Sequence, residues 1–203
     1  MKSLSEIDTV SKRACRAIGF TWGEAEEVGK NIKFLEINGL QGIKNLNFFL
    51  KKKKVLKYES LKSIQKINNK FSSHLCPIIA GISFLDQIKV LKDLNELEFN
   101  NIGFPILFLP FVSRASEAIG KKIHLKIDKN NFLLNFNHSI FSDFLVNNVI
   151  EVGNSISIKI LENTDSFTEL EWKEIYKISE ETFVEENENL KQTSAGAGLT
   201  DND

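Results

Sequence analysis

Lys122-Ile123-His124-Leu125-Lys126-Ile127-Asp128-Lys129-Asn130-Asn131-Phe132-Leu133-Leu134-Asn135-Phe136 decides the fold class. Ile123, Leu125 and Ile127 alternate with Lys122, His124 and Lys126, and after four turn-forming residues Phe132, Leu134 and Phe136 resume the two-residue period. That period puts one set of side chains on one face of a strand, so the stretch predicts a β-hairpin with a buried face. Strands are expected at 122–127 and 132–137. Downstream, Ile156, Ile158 and Ile160 predict a further strand at 155–161. Upstream, Ile102 to Leu109 is a continuous apolar run, expected as a buried strand at 102–109. Pro110 suits the first turn of a helix, where its missing N–H costs nothing. Phe111, Ala115, Ala118 and Ile119 give that helix a core face, and Gly120 ends it.

Before residue 98 the period is helical. Ser3-Leu4-Ser5-Glu6 and Thr21-Trp22-Gly23-Glu24 are capping boxes, each opening an apolar stripe. The first stripe is Ile7, Val10, Ala14, Ala17 and Ile18, stopped by Gly19; the second is Ala25, Val28, Ile32 and Leu35, stopped at Asn38-Gly39. Together they predict an αα-hairpin. Residues 40–75 carry no clear period beyond loose helical spacing from Leu56 to Ile67, and a third helix is expected from Ser83 through Leu97. A last helix follows Ser166-Phe167-Thr168-Glu169, with Trp172, Ile175, Tyr176 and Phe183 as its stripe. The expected class is α+β: a helical N-terminal half packed against a mostly antiparallel sheet with helices on one side. One domain is expected over 1–190, helical to about 97 and sheet-bearing over about 98–185, followed by a Gly-rich acidic tail at 191–203.

Charge excludes some partners. Lys and Arg number 26 against 27 Asp and Glu, a net charge of -1 over 203 residues, so nothing draws the whole chain to nucleic acid or an anionic membrane. Lys51-Lys52-Lys53-Lys54 has no aromatic platform beside it and reads as a solvated run. The longest apolar stretch, Phe104 to Val112, contains two prolines and is too short to span a bilayer. Two unspaced cysteines, Cys15 and Cys76, read as reduced thiols, and a cytoplasmic location is expected. P-loop, nucleophile-elbow, paired-cysteine zinc and EF-hand patterns are absent, the three histidines are scattered and predict no metal site, and these patterns leave the cofactor unknown.

Candidate site residues follow from position. Arg114, with Ser113, is expected in the first turn of the helix after the 102–109 strand, where backbone N–H groups favour a carboxylate or phosphate, and Arg114 is expected beside the main pocket. The plain alternative is an Arg114–Glu117 ion pair on a solvated face. Glu26, Glu27 and Lys30 cluster on the second helix, where Glu26 and Lys30 have the spacing of a surface pair. Trp22 is expected to be buried between the first two helices and the sheet. His74 and Cys76 share a face if their segment is extended, the spacing of an activated thiol. Asp201, Asp203 and the terminal carboxylate offer hard oxygen ligands beyond Gly196 and Gly198.

Some of these residues resemble a family. Leu4-Ser5-Glu6-Ile7, Gly19-Phe20-Thr21-Trp22-Gly23, Ala25-Glu26-Glu27, Gly29-Lys30, Leu75-Cys76-Pro77, Pro105 to Arg114 and the closing Gly196-Ala197-Gly198-Leu199-Thr200-Asp201-Asn202-Asp203 resemble the bacterial domain-of-unknown-function family 3726. The resemblance runs through the whole chain except Leu46 to Asn69, and it implies no reaction. It implies that the tail is a family feature. The expected function is a small-molecule metabolic enzyme, or a subunit of one, acting on an anionic metabolite. Arg114 would be the anchor, Trp22 a wall and Glu26 or Glu27 the polar partner. The alternative is a non-catalytic accessory protein that docks on a partner enzyme through its tail. A homo-oligomer fits either.

Overall fold

Local caps start the helices where the sequence places them. A computed structural model describes residues 2–61, 63–64, 71–91, 93–143 and 148–182, in two units, 1–163 and 164–203. The Ser3 hydroxyl accepts from the Glu6 N–H at 3.1 Å and opens α1 (Leu4–Ala17). Gly19, at φ +97°, turns the chain, and Thr21 and Glu24 satisfy each other's backbone N–H groups to open α2 (Trp22–Ile37). Such a cap contributes about 1 kcal/mol. Gly39, at φ +69°, ends α2 before α3 (Gly42–Lys53) begins. α4 (Pro77–Leu91) starts on a proline, six residues earlier than the expected start at Ser83.

The second half is sheet with one more helix. Its elements are β1 (Glu96–Phe99), β2 (Ile102–Gly103), a 3-10 turn at Pro105–Leu107, α5 (Leu109–Ile119), β3 (Ile123–Ile127), β4 (Asn130–Leu134), β5 (Ile140–Ser142), β6 (Val152–Gly153) and β7 (Ile156–Ile160). Five strands pair antiparallel in the order β1-β7-β3-β4-β5, and β2 pairs β6 separately. The register sets Leu125 opposite Phe132 on one side and Ile158 on the other, so one face is apolar throughout. α5 packs on β3 and β4 and against α4, which joins the sheet's inner face to the helical half. The hairpin turn is Asp128-Lys129; Asp128 takes φ +52°, and its Oδ1 accepts from the Asn154 and Ser155 N–H groups at 3.1 and 3.0 Å. The fold is therefore the α+β class that the alternation announces.

Several boundaries differ, each for a physical reason. The run 102–109 is not one strand. Ile102 to Leu109 is buried on every side, and such a run has no period to betray its backbone. Phe104 takes the left-handed region at φ +46°, and Pro105 then opens the 3-10 turn. Leu97 belongs to β1, where Leu97 and Phe99 are buried and Glu96 and Glu98 exposed. β4 ends at Leu134, and Phe136 is exposed. β5, three residues long, gave no period.

The second unit contains α6 (Glu169–Glu180), opened by a reciprocal box between Thr168 and Glu171. Trp172, Ile175 and Tyr176 are exposed, and Trp172 stacks on Phe167 with ring centres 5.5 Å apart. Phe183 and the tail 191–203 lie outside the described residues.

Candidate functional site: the seam between α2 and α5

At 100° per residue, Glu27, Asn31 and Phe34 share one side of α2, while Ala25, Val28, Ile32 and Leu35 enter the core. The polar side meets α5. Arg114 Nη1 donates to Glu27 Oε2, and Lys30 Nζ donates to Glu27 Oε1 at 3.1 Å, so each carboxylate oxygen takes one cation. Burial pushes the Glu27 carboxyl up, but hydrogen bonds and charge from Arg114 and Lys30 outweigh it and hold the group below the ordinary glutamate value. Further along, the Phe34 ring meets His138 edge-on at 6.1 Å, and His138 Nε2 lies 3.3 Å from Glu117 Oε2. His138 sits in the β4–β5 turn at φ +65°, so that turn is tied to both helices.

Two polar groups on these helices are buried without a hydrogen-bond partner: Asn31 Nδ2, in a residue 4% exposed, and Ser113 Oγ, in a residue 0% exposed. Buried donors left unpaired are costly, and they mark places where a water or ligand oxygen is accepted. Asn31 drew no notice in the sequence, although an Asn between Val28 and Ile32 is the signal that would have found it.

Several expected placements differ, and Glu26 and Trp22 do not join this seam. Arg114 is the sixth residue of α5, not in its first turn, because the helix begins at Leu109; the N-terminal anion argument therefore does not reach it. Its partner is Glu27 across the seam rather than Glu117 on its own helix, and Lys30 pairs with Glu27 rather than Glu26. Glu26 is exposed. Trp22 is 61% exposed, with the Arg16 guanidinium 4.6 Å above its ring, so its expected burial is corrected. The plug of the helical hairpin is Phe20, 3% exposed and 6.3 Å from Phe49. Trp22 also lies five residues from Glu27, roughly 140° around α2, and cannot wall the same site. Asp201 and Asp203 lie outside the described residues.

Two open concavities form elsewhere, and Arg114 lines neither. One, of about 440 Å³, is lined by Lys2, Glu6, Ile7, Val10, Glu36 and Ile43, and the other lies on the sheet. Cys76 is buried, and burial pushes its thiol up; Cys15 is pushed up to about 12 by burial and then by Cys76. Burial thus disfavours a resting thiolate at either cysteine, which is the bland reading of His74 and Cys76. Lys52 pairs with Glu151, and Lys53 lies over the Phe20 ring, 4.7 Å from its centre. No cluster of three or more His, Cys, Asp or Glu able to hold a metal occurs among the described residues. Nor is any described helix long and apolar enough to cross a membrane.

Fold and seam thus define an α+β protein in which two of the candidate residues, Glu27 and Arg114, meet between two helices. Residues 2–74 match the model of the family described as "Protein of unknown function (DUF3726)", the domain-of-unknown-function family that the N-terminal motifs resemble. The match spans α1 to α3 and stops at His74, so Leu75-Cys76-Pro77, the 105–114 stretch and the tail lie beyond it. Comparison with curated proteins and with solved structures finds no match.

Proposed function

We propose that the protein binds a small anionic metabolite at the α2–α5 seam, as an enzyme or the ligand-binding subunit of one. The observation that carries this reading is the Glu27 carboxylate held between Lys30 and Arg114. Two cations around one carboxylate leave one positive charge in excess, and the planar Arg114 fork suits a carboxylate or phosphate. Glu27 occupies the position that a ligand's carboxylate would take. Asn31 Nδ2 and Ser113 Oγ are donors that further ligand oxygens would satisfy. Isothermal titration with succinate and with inorganic phosphate tests it on the full chain. Arg114→Gln is expected to weaken binding at least about tenfold, and Glu27→Gln to tighten it by removing the internal competitor. Equal affinity in all three proteins overturns the reading.

A second reading is favoured by α6, whose Trp172, Ile175 and Tyr176 form an exposed apolar side. In it, the protein is a non-catalytic accessory of another enzyme, with the 191–203 tail as the docking peptide. Co-purification from the native host, repeated with Gly198 to Asp203 deleted, checks it; a partner retained by the truncated chain excludes the tail.

A further inference from the structure

Charge continues along the α2–α5 seam past Glu27. The charged residues of α5 are Arg114 and Glu117, one turn apart and both turned toward α2. Arg114 reaches Glu27, and Glu117 meets the His138 imidazole, which packs on Phe34. Side chains three apart on a helix have Cβ atoms about 5–6 Å apart, so one small molecule can touch both. Each is covered by a side chain: the Glu27 carboxylate stands on Arg114, and His138 Nε2 stands 3.3 Å from Glu117 Oε2. Neither cover on the Glu117 side is buried, since the Glu117 and His138 side chains are both about half exposed. Between Glu27 and Phe34, the buried Asn31 has its Nδ2 unpaired, and beside Arg114 the buried Ser113 has its Oγ unpaired. The other charges nearby are turned elsewhere. Glu24 accepts from the Thr21 N–H, Glu36 accepts from the Ile43 N–H, and Lys121 pairs with Glu162. Glu26 and Lys33 stand roughly 100–120° around α2 from Glu27.

We infer that the seam's ligand is an amino dicarboxylate, a small molecule with two carboxylates and one ammonium. The inference rests on the reading that an anion binds the seam in place of Glu27, and it adds what that anion must also carry. With the Glu27 carboxylate swung out, Lys30 and Arg114 stand against Glu117, which leaves a single positive charge in excess. A plain dicarboxylate brings one negative charge too many and sets it near Glu117. A neutral zwitterion leaves one cation without a partner. An amino dicarboxylate balances the seam. Arg114 holds one carboxylate, and Lys30, on an exposed and flexible side chain, follows the other. Glu117 accepts the ammonium protons where His138 Nε2 stands in the free protein. Asn31 Nδ2 and Ser113 Oγ donate to the remaining carboxylate oxygens. Arg114 and Glu117 thus each exchange an internal partner for a ligand group, and neither is left uncompensated.

The test is isothermal titration of the full chain with two matched pairs, L-aspartate with succinate and L-glutamate with glutarate, and with inorganic phosphate. Within each pair the two molecules differ by one ammonium. In at least one pair the amino acid is expected to bind at least about fivefold more tightly than its deaminated partner, the worth of one partly exposed charge pair. Glu117→Gln is expected to bring that ratio to about one by weakening the amino acid, while Arg114→Gln weakens both members. Glu117 is exposed, so its exchange leaves the core intact, and an unchanged thermal midpoint verifies this. The inference is overturned, with the anion reading of the seam intact, if the deaminated partners bind as tightly as the amino acids, if Glu117→Gln keeps the preference, or if phosphate alone binds. Binding by none of the five compounds overturns both.

Discussion

Glu27 is a residue whose chemistry depends on two neighbours from different places in the chain. Lys30 lies one turn away on α2, and Arg114 arrives on α5, 87 residues later. Neither pairing was read from the sequence: spacing pointed Lys30 to Glu26 and Arg114 to Glu117, because it reports contacts along one helix and not across a seam. The partnership has a pH signature. The folded carboxyl sits below its ordinary value, so its stabilisation is fully present above the unfolded glutamate value and is lost as pH falls through the depressed one. Arg114 is about a third exposed, so solvent screening limits the pair to at most about 1 kcal/mol. Thermal unfolding of the natural chain and of Glu27→Gln is expected to differ at neutral pH. The difference should shrink as the solution is acidified below the glutamate range. A difference that stays constant into the acid range would mean that Glu27 acts through packing and not charge. Trp22 shows the opposite limit of residue-level inference. A cap fixes where α2 begins but not which nearby aromatic fills the hairpin, and Phe20, two residues earlier, has the inward direction.

Elements are held together by close approaches that the sequence marks only as glycine. Gly81, within α4, lies under the Phe111 ring of α5; a Cβ there would fall among the ring atoms. Phe111 is itself 1% exposed and has nowhere to go. Gly29, within α2, faces the Asp8 carboxylate and backbone carbonyl of α1, and the nearest atom there ends a rotatable side chain rather than a packed ring. Gly81→Ala is therefore expected to lower stability by about 2–3 kcal/mol in urea unfolding, and Gly29→Ala by clearly less. Equal losses would mean that α4 and α5 separate more easily than α1 and α2. The same contrast explains which elements could be read. α1, α2, the β3–β4 hairpin and β7 announce themselves because each has one buried and one exposed face. Residues 102–109 have no exposed face, so the turn at Phe104, where a left-handed aromatic costs about 1–3 kcal/mol, left no trace in the pattern. The site was legible to a similar degree. Arg114 stood out for its place on the helix that follows the 102–109 run and Glu27 for its cluster with Glu26 and Lys30, but their pairing depends on how α5 crosses α2.

At the scale of the molecule, the buried apolar side chains of the described core run from Cys15 to Ile160, and α6 contributes none. The unit 1–163 thus contains its own core, its complete five-stranded sheet and both partners of every ion pair along the seam. A chain ending at Asn163 is expected to fold on its own, with a single cooperative urea transition whose midpoint matches the full chain. Its slope should fall within the range of about 1–3 kcal/mol per M typical of small domains. The 12 residues of α6 pose a separate question. A helix of that length is marginal in water unless something covers its apolar side. Subtracting the far-ultraviolet circular dichroism of the truncated chain from that of the full chain isolates the helix content of residues 164–203. A strong helical difference that fades on dilution, with an unchanged urea midpoint, would place the cover for Trp172, Ile175 and Tyr176 on a second chain. A midpoint that drops on truncation would instead show that the core of 1–163 is incomplete, and the independence argued from its buried residues would fail.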